Sequence, residues 1–385
     1  MTVDPVDPYL ETRHGDLLQR ARAFSVSKLE PLEEQAEHDL PAAARRCVAA
    51  LAGEGFLRSV VPKAFGGERE TVEVRSVASV REGIAYGSGL ADAMLALQGL
   101  GSLPITLAGT DAQRRHWLPR VADGRAIAAF AVTEPEAGSD VASMQCLARE
   151  TPEGWTLSGT KTFISNAGLA DLYAVFAKTD PERGHRGVSA FLVPGDTPGL
   201  SVTPLRLLAH HPIGTVRFDG VRVPPDAILG RRGEGFKLAL ATLDRMRPTV
   251  AAAACGMASR ALDLALARAK SRRQFGRALG ENQGLRWRLA EAATDLQAAR
   301  LLVYRAAWLA DAGKERVTTE SAQAKLFATE AAQRIVDFAL QVHGGQGTVA
   351  GSPVERLYRE VRALRIYEGT SEVLRDVVAR SLFET

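Results

Sequence analysis

The chain has 385 residues, 46% of them hydrophobic and 24% charged, with 48 basic and 45 acidic side chains and a formal net charge of +3. That length exceeds one small domain, and the mix is that of a globular protein, which excludes the disordered and fibrous classes. So small a charge excess gives no argument for a nucleic-acid surface.

Cys47, Cys146 and Cys255 are far apart and odd in number. Neither a disulfide framework nor a zinc site is expected, and the three read as buried thiols. Residues 1–16 are acidic and carry Pro5 and Pro8, unlike a signal peptide. No run approaches the roughly 18 apolar residues of a membrane span; the richest, residues 250–258, is short and Ala-dominated. The expectation is a soluble cytoplasmic protein with no metal, nucleic-acid or membrane partner.

Residues 17–125 read as helices punctuated by Pro31 and by glycines at 53, 55, 66, 67, 87 and 89, with one helix expected over about 41–52 and another over about 71–84. The texture changes near residue 128. From there to Leu229, short apolar stretches alternate with turn residues, and 155–157, 172–177, 188–193 and 216–223 read as strands. No helical pattern intervenes, so a small, mostly antiparallel sheet is expected rather than a βαβ one. Helical periodicity returns at Gly235. Leu285, Leu289, Ala292, Leu296, Ala299, Val303, Ala306 and Ala310 alternate spacings of 4 and 3, an apolar stripe on one helix. Its alanines permit close approach in a bundle. Residues 236–270 and 321–342 read as two more long helices. Ser352-Pro353-Val354-Glu355 has the form of a capping box with Pro at the first helical position. The expected class is α+β, in three blocks: 1–127 helical, 128–234 antiparallel β, and 235–385 a four-helix bundle.

Several familiar motifs fail. Gly154 to Lys161 has the form GxxxxGTK, but a P-loop needs GK followed by Ser or Thr. Gly345-Gln346-Gly347 and Gly233-Glu234-Gly235 lack the third glycine of a dinucleotide fingerprint. His210-His211 has no cysteine or carboxylate cluster beside it, so a metal role is not expected.

Four segments carry chemistry. Ala131 to Asp140, AVTEPEAGSD, runs a strand into a turn of small and hydroxyl residues whose N–H groups suit a polar ligand edge or an anion; an ordinary loop would read the same. Lys270 to Arg277, KSRRQFGR, followed by Asn282-Gln283, offers arginine forks for phosphate and an aromatic for a flat ring, or else a solvated helix end. Gln341 to Gly347, QVHGGQG, would let a backbone approach something closely, or would cap a helix. In Ile366 to Glu372, IYEGTSE, one helix ends near Arg365 and another starts at Thr370 or Ser371, both good N-caps. Glu368 sits at that joint between an aromatic and a glycine, where a desolvated carboxylate could serve as a general base.

In this order, over nearly the whole chain, the four segments resemble the acyl-CoA dehydrogenase family of flavoproteins. The resemblance implies an N-terminal helical domain, a middle β domain and a C-terminal helical bundle, with FAD as cofactor and a homotetramer, or in some members a dimer. It places Phe130, Ala131, Val132, Thr133, Gly138 and Ser139 beside the flavin, with Phe163, Ile164 and Ser165 flanking its ring; Phe163 stands where the family often has Trp. Arg272, Gln274, Phe275 and Gln283 would hold the diphosphate and adenosine of a neighbouring subunit's FAD, with Gln341 and Gly345 as further contacts. Thr370, Ser371 and Glu372 would receive the adenylate side. Ser139, Asp244 and Arg247 would contact the CoA, and Gly369 the substrate.

The resemblance further implies α,β-dehydrogenation of an acyl-CoA to its trans-2-enoyl-CoA, with electrons passed to an electron-transfer flavoprotein. Glu368 would take the α-proton, and its N–H would bind the thioester oxygen. Some members place the base on the earlier helix, where Met246 stands here, and methionine cannot act as a base. One stretch departs from the pattern. Before the last long strand the family often carries Gly, Arg, Ser or Thr, and this chain reads LAHHPIGT over 208–215. The alternatives are an oxidase or an enoyl-CoA reductase on the same fold, or a carrier-protein-bound acyl group as substrate.

Overall fold

Helix formers and glycine breaks shape the first third of the chain. The computed structural model, which describes residues 8–383, places there α1 (Thr12–Phe24), α2 (Glu30–Ala36), α3 (Leu40–Gly53), α4 (Val74–Gly87), α5 (Gly89–Ala108) and α6 (Asp111–Ala122). Asp39 caps α3 by accepting from the Ala42 N–H at 3.0 Å, and Thr110 with Gln113 closes a capping box on α6. The strands follow as β1 (Ala128–Ala131), β2 (Leu147–Thr151), β3 (Gly154–Ser165), β4 (Leu172–Lys178), β5 (Val188–Pro194), β6 (Leu200–Leu205), β7 (Ile213–Val223) and β8 (Ile228–Leu229). Then come α7 (Gly235–Ser271), the short strands β9 (Arg273–Gln274) and β10 (Arg277–Ala278), α8 (Gln283–Asp311), α9 (Thr318–His343), α10 (Pro353–Leu364) and α11 (Ser371–Ser381).

The strands form one sheet in the order β6-β7-β3-β2-β4-β5-β8, with β1 also on β4. Its pairings are antiparallel except β1–β4 and β2–β4. The mostly antiparallel expectation holds. LARET in β2 has no clear apolar alternation, whereas β6, LSVTPL, alternates over its first four residues but carries Pro204, which argues against a central strand and is tolerated here at the sheet edge.

The chain divides into two compact units. One holds the residues up to Glu34, Val74–Asp92 and everything from Arg247; the other holds Gln35–Glu73 and Ala93–Met246. In the first, residues 250–265 of α7 pack with Leu296, Val303, Ala306, Ala328, Ile335 and Ala339 into one core. The stripe of α8 is buried from Ala292 to Ala310, with Leu285 and Leu289 half-buried, as its spacing predicts. Small residues set the distances there. A side chain on Gly256 would sit 2.1 Å from the Glu82 carbonyl oxygen. Glu82 is itself paired in the core with Arg300, which donates from Nε at 2.6 Å, and accepts from the Tyr304 hydroxyl at 2.7 Å. The second unit's core is the sheet, with Tyr173, Val175, Phe191, Val193, Val216 and Phe218 inside. All three cysteines are buried free thiols, as expected.

Three expectations need correction. Ser352 is the N-cap of α10, but its hydroxyl caps nothing; Glu355 instead accepts from the Gly351 N–H at 3.1 Å and pairs with Arg359, so no capping box forms. For the segment after α7, the alternative reading as a solvated helix end does not hold, because the chain there forms a two-stranded ribbon. Finally, α5 and α7 are long and apolar enough to cross a membrane, with mean hydropathies of 1.3 and 1.4; 83% and 72% of those stretches are buried within the protein, as in core helices.

Candidate active site

The joint between α10 and α11 is strained. Glu368 has φ 53° and Gly369 φ 101°. A non-glycine residue in this region costs about 1–3 kcal/mol and persists only where its surroundings hold it. Two cations do so here. Arg247 donates from Nε to the Glu368 carbonyl at 3.0 Å, and Lys325 from Nζ to the Gly369 carbonyl at 2.6 Å. Thr370 caps α11, its hydroxyl accepting from the Val373 N–H at 3.3 Å. Arg365 and Ser371 both bond Glu330, at 2.9 and 2.6 Å, so Arg365 is not the partner of Glu368.

The Glu368 side chain is half-buried, and its Oε2 is buried with no hydrogen-bond partner among the described residues. Burial pushes its pKa up, against the pull of Arg81, Arg247 and Lys325. Its main-chain N–H makes no backbone hydrogen bond among the described residues. A carboxylate of raised pKa with an unused oxygen and an unused N–H beside it has the chemistry to serve as a general base.

Of the neighbouring cations, Arg81 is paired with a carboxylate. Arg81 is 1% exposed, bonds both oxygens of Asp92 at 2.8 and 2.7 Å, and reaches the Thr249 hydroxyl at 2.9 Å. Lys325 is fully buried, which lowers its pKa to about 8. The sequence reading missed Arg81 and Lys325. For Lys325 a signal existed: it falls on the buried face of α9 with Ser321, Ala328 and Ala332, where a lysine needs a reason.

A second group of candidate residues lies in the sheet unit. Lys161, the residue of the failed P-loop, is wholly buried and cannot meet a phosphate. Its Nζ bonds the Val132 carbonyl and Glu134 Oε1, each at 2.8 Å, while Glu134 also accepts from the Gln145 and Cys146 N–H groups. This pins the turn from Thr133 to Ser139. Thr162 N–H donates to the Thr133 carbonyl at 2.9 Å, which brings Thr133 next to Phe163. Phe163 has φ 54° and is 60% exposed. Gly138 and Ser139 are exposed, and a side chain at Gly138 would meet nothing. Ala131 and Ile164 are buried in the sheet core, so neither side chain is open to a ligand in this structure. Phe130 and Thr133 are half-buried, Val132 is buried, and Ser165 bonds His211. Met246, at the alternative base position, fills core space against Gly99. Asp244 is half-buried on the first turns of α7.

In the helical unit, the ribbon β9–β10 holds Arg272, Gln274 and Phe275 in the open, with Gln283 exposed at the start of α8. Phe275 is fully exposed at φ 50°. No acceptor lies within hydrogen-bond reach of the Arg272 guanidinium among the described residues. Gln341 and Gly345 are exposed where α9 ends, Ser371 is buried and Glu372 is exposed in the first turn of α11. In the sheet unit, an exposed aromatic at strained φ beside an open turn of main-chain donors suits a flat ring with a polar edge; in the helical unit, taken by itself, the exposed Phe275 and the uncommitted Arg272 suit a flat group and a phosphate, and FAD presents both kinds of group.

Family models for the N-terminal, middle and C-terminal domains of acyl-CoA dehydrogenases match residues 11–125, 129–221 and 233–383. A probable acyl-CoA dehydrogenase of Mycobacterium leprae is 38% identical over 97% of this chain and 96% of its own. An NADH-dependent acryloyl-CoA reductase of Anaerotignum propionicum is 38% identical over 97% and 95%. The crystal structure of an acyl-CoA dehydrogenase from Bacillus anthracis in complex with FAD superposes with a TM-score of 0.91 at 28% identity, over 100% of this chain and 68% of that one. This chain therefore belongs to the acyl-CoA dehydrogenase family, FAD-dependent oxidoreductases that act on a CH–CH bond of an acyl-CoA.

Proposed function

We propose that the protein oxidises an acyl-CoA thioester to its trans-2-enoyl-CoA, with Glu368 as the base, and passes the electrons to an electron-transfer flavoprotein. The observation that carries this reading is Glu368 itself: a carboxyl of raised pKa at a strained joint, with one oxygen buried and unpartnered. An α C–H beside a thioester is a weak acid. The unused Glu368 N–H would bond the thioester oxygen and stabilise the charge that develops there. Glu368 would take the α-proton as the β-hydride departs. FAD, when bound, supplies the two-electron acceptor for that hydride.

FAD would lie along Phe130–Thr133, Gly138, Ser139 and Phe163–Ser165. Arg272, Gln274, Phe275 and Gln283, with Gln341 and Gly345, would meet the cofactor of a neighbouring subunit in a homotetramer. Thr370, Ser371 and Glu372 would receive the adenylate side at the start of α11. Ser139, Asp244 and Arg247 would face the CoA, and Gly369 the acyl end.

Turnover of a panel of straight, branched and cyclic acyl-CoA thioesters with an artificial electron acceptor tests the reading. One enoyl-CoA should form per two electrons accepted. A panel that neither yields enoyl-CoA nor bleaches the flavin rejects it. The reductase relative supports a second reading, in which the same groups run the reaction toward the saturated acyl-CoA. NADH-dependent loss of enoyl-CoA with a partner flavoprotein present would favour it, and oxygen uptake during turnover would instead indicate an oxidase.

A further inference from the structure

Helix α8 carries a second stripe, which its own unit leaves uncovered. The first, from Leu285 to Ala310, packs into the core of that unit. Two residues further along, about 200° around the helix, positions 287, 291, 294, 298, 301, 305 and 308 repeat the same alternation of 4 and 3. Trp287 is 61% exposed, and Leu301 and Trp308 are each 40% exposed. The stripe runs about 30 Å along the axis. A helix patterned on two opposite faces is suited to packing on both, and large apolar side chains left open in a row mark an interaction surface. Tryptophan in particular is enriched where interfaces draw their energy.

The charges on the stripe identify what covers it. Glu291 and Arg305 lie seven residues on either side of Ala298. Neither forms an ion pair among the described residues, whereas Asp295, off the stripe, is paired with Arg334 at 2.7 Å. Arg305 acts on Glu320 only at a distance, and that carboxylate is held by Lys314 at 2.5 Å. A second α8 laid antiparallel, with a two-fold axis at Ala298, sets each Glu291 against Arg305 of the other copy. The two Ala298 methyl groups meet at the crossing, where a small side chain lets the helices come close. Leu301 then falls near Thr294 of the other copy, and Trp308 near Trp287. A parallel copy would instead place Glu291 on Glu291 and Arg305 on Arg305. An isologous contact of this kind needs one self-complementary surface and closes on itself.

We propose that this face of α8 is a two-fold, antiparallel seam between two copies of the chain. The inference rests on the homotetramer of the reading above and names one of its seams.

Sedimentation velocity of the FAD-loaded protein over a range of concentrations tests it. The wild type is compared with Glu291→Arg, Arg305→Glu, the Glu291→Arg/Arg305→Glu double variant and Leu301→Arg, with a thermal melt of each to confirm folding. Each single reversal turns two opposite-charge contacts into two like-charge ones. At concentrations where the wild type is assembled, it should lower the mass to half. The double variant restores opposite charges and should recover the wild-type mass, which a misfolded single variant would not explain. Leu301→Arg should also halve the mass. An assembled wild type whose mass none of the variants changes would overturn the seam and leave the homotetramer standing. A monomeric wild type would overturn both. Halving by Leu301→Arg without recovery in the double variant would overturn the antiparallel alignment. Unchanged mass with lost reduction of an electron-transfer flavoprotein would give the face to that partner instead.

Discussion

Lys325 Nζ donates to the Gly369 carbonyl at 2.6 Å, binding α9 to the joint that carries Glu368. With Arg247 on the preceding carbonyl, it holds two successive residues at positive φ. The lysine thus acts on Glu368 twice: through the backbone it fixes, and through the charge that opposes the effect of burial on the carboxyl.

Lys325→Met removes bond and charge together. With a nearby cation gone, the Glu368 pKa rises further, so the acid limb of the pH profile for flavin reduction should move to higher pH. The joint also loses a charge-assisted bond of about 1.5–3 kcal/mol. A pH profile of stopped-flow reduction checks this. An unchanged limb would separate Lys325 from the base.

Lys325 also links stability to pH. Its folded pKa of about 8 lies below the ordinary 10.5, so between those values the unfolded chain binds more protons than the folded one. Unfolding free energy should therefore rise with pH across about 8 to 10.5, and this component of the slope should vanish in Lys325→Met. Denaturant melts over that range measure it.

Arg81→Met would strand the Asp92 carboxylate in the interior. Breaking a buried pair in this way typically destabilises by about 3–5 kcal/mol. The variant should melt well below the wild type, and Arg81→Met/Asp92→Asn should recover part of the loss. Equal stability of the single and double variants would show that the pairing of Arg81 with Asp92 contributes little.

Arg272→Ala tests the contact across subunits. Its exposed guanidinium has no acceptor within its own chain among the described residues, which leaves it open to the partner proposed for it, the neighbour's FAD diphosphate. Loss of such a contact, roughly 1.5–3 kcal/mol, should weaken FAD retention and loosen the oligomer together. Gel filtration with FAD quantified in the eluted peak reads both. Full occupancy in an intact assembly would remove Arg272 from that role.

Local pattern made much of the fold legible. The 4-3 spacing of α8 and the apolar runs of β4 and β5 depend on near neighbours in sequence, and each appeared as an element. The ribbon did not. Its tip, Phe275-Gly276, lacks the usual turn dipeptides, and a phenylalanine at φ 50° is a strained choice that propensity argues against. The site divides along the same line. Glu368 stood out as a carboxylate between Tyr367 and Gly369 at a helix joint. Arg81 and Lys325, which tune it, reach it only through tertiary packing from helices distant in sequence.

Glu368→Gln is the most direct test of the central claim. Glutamine keeps the size and most of the hydrogen-bonding capacity but cannot take a proton. FAD content, ligand binding and the thermal melt should survive, while stopped-flow reduction of the flavin by saturating acyl-CoA should fall by about 10²–10⁴-fold. A variant that bleaches its flavin at a near-normal rate would contradict the assignment and leave Glu368 a structural residue of the α10–α11 joint.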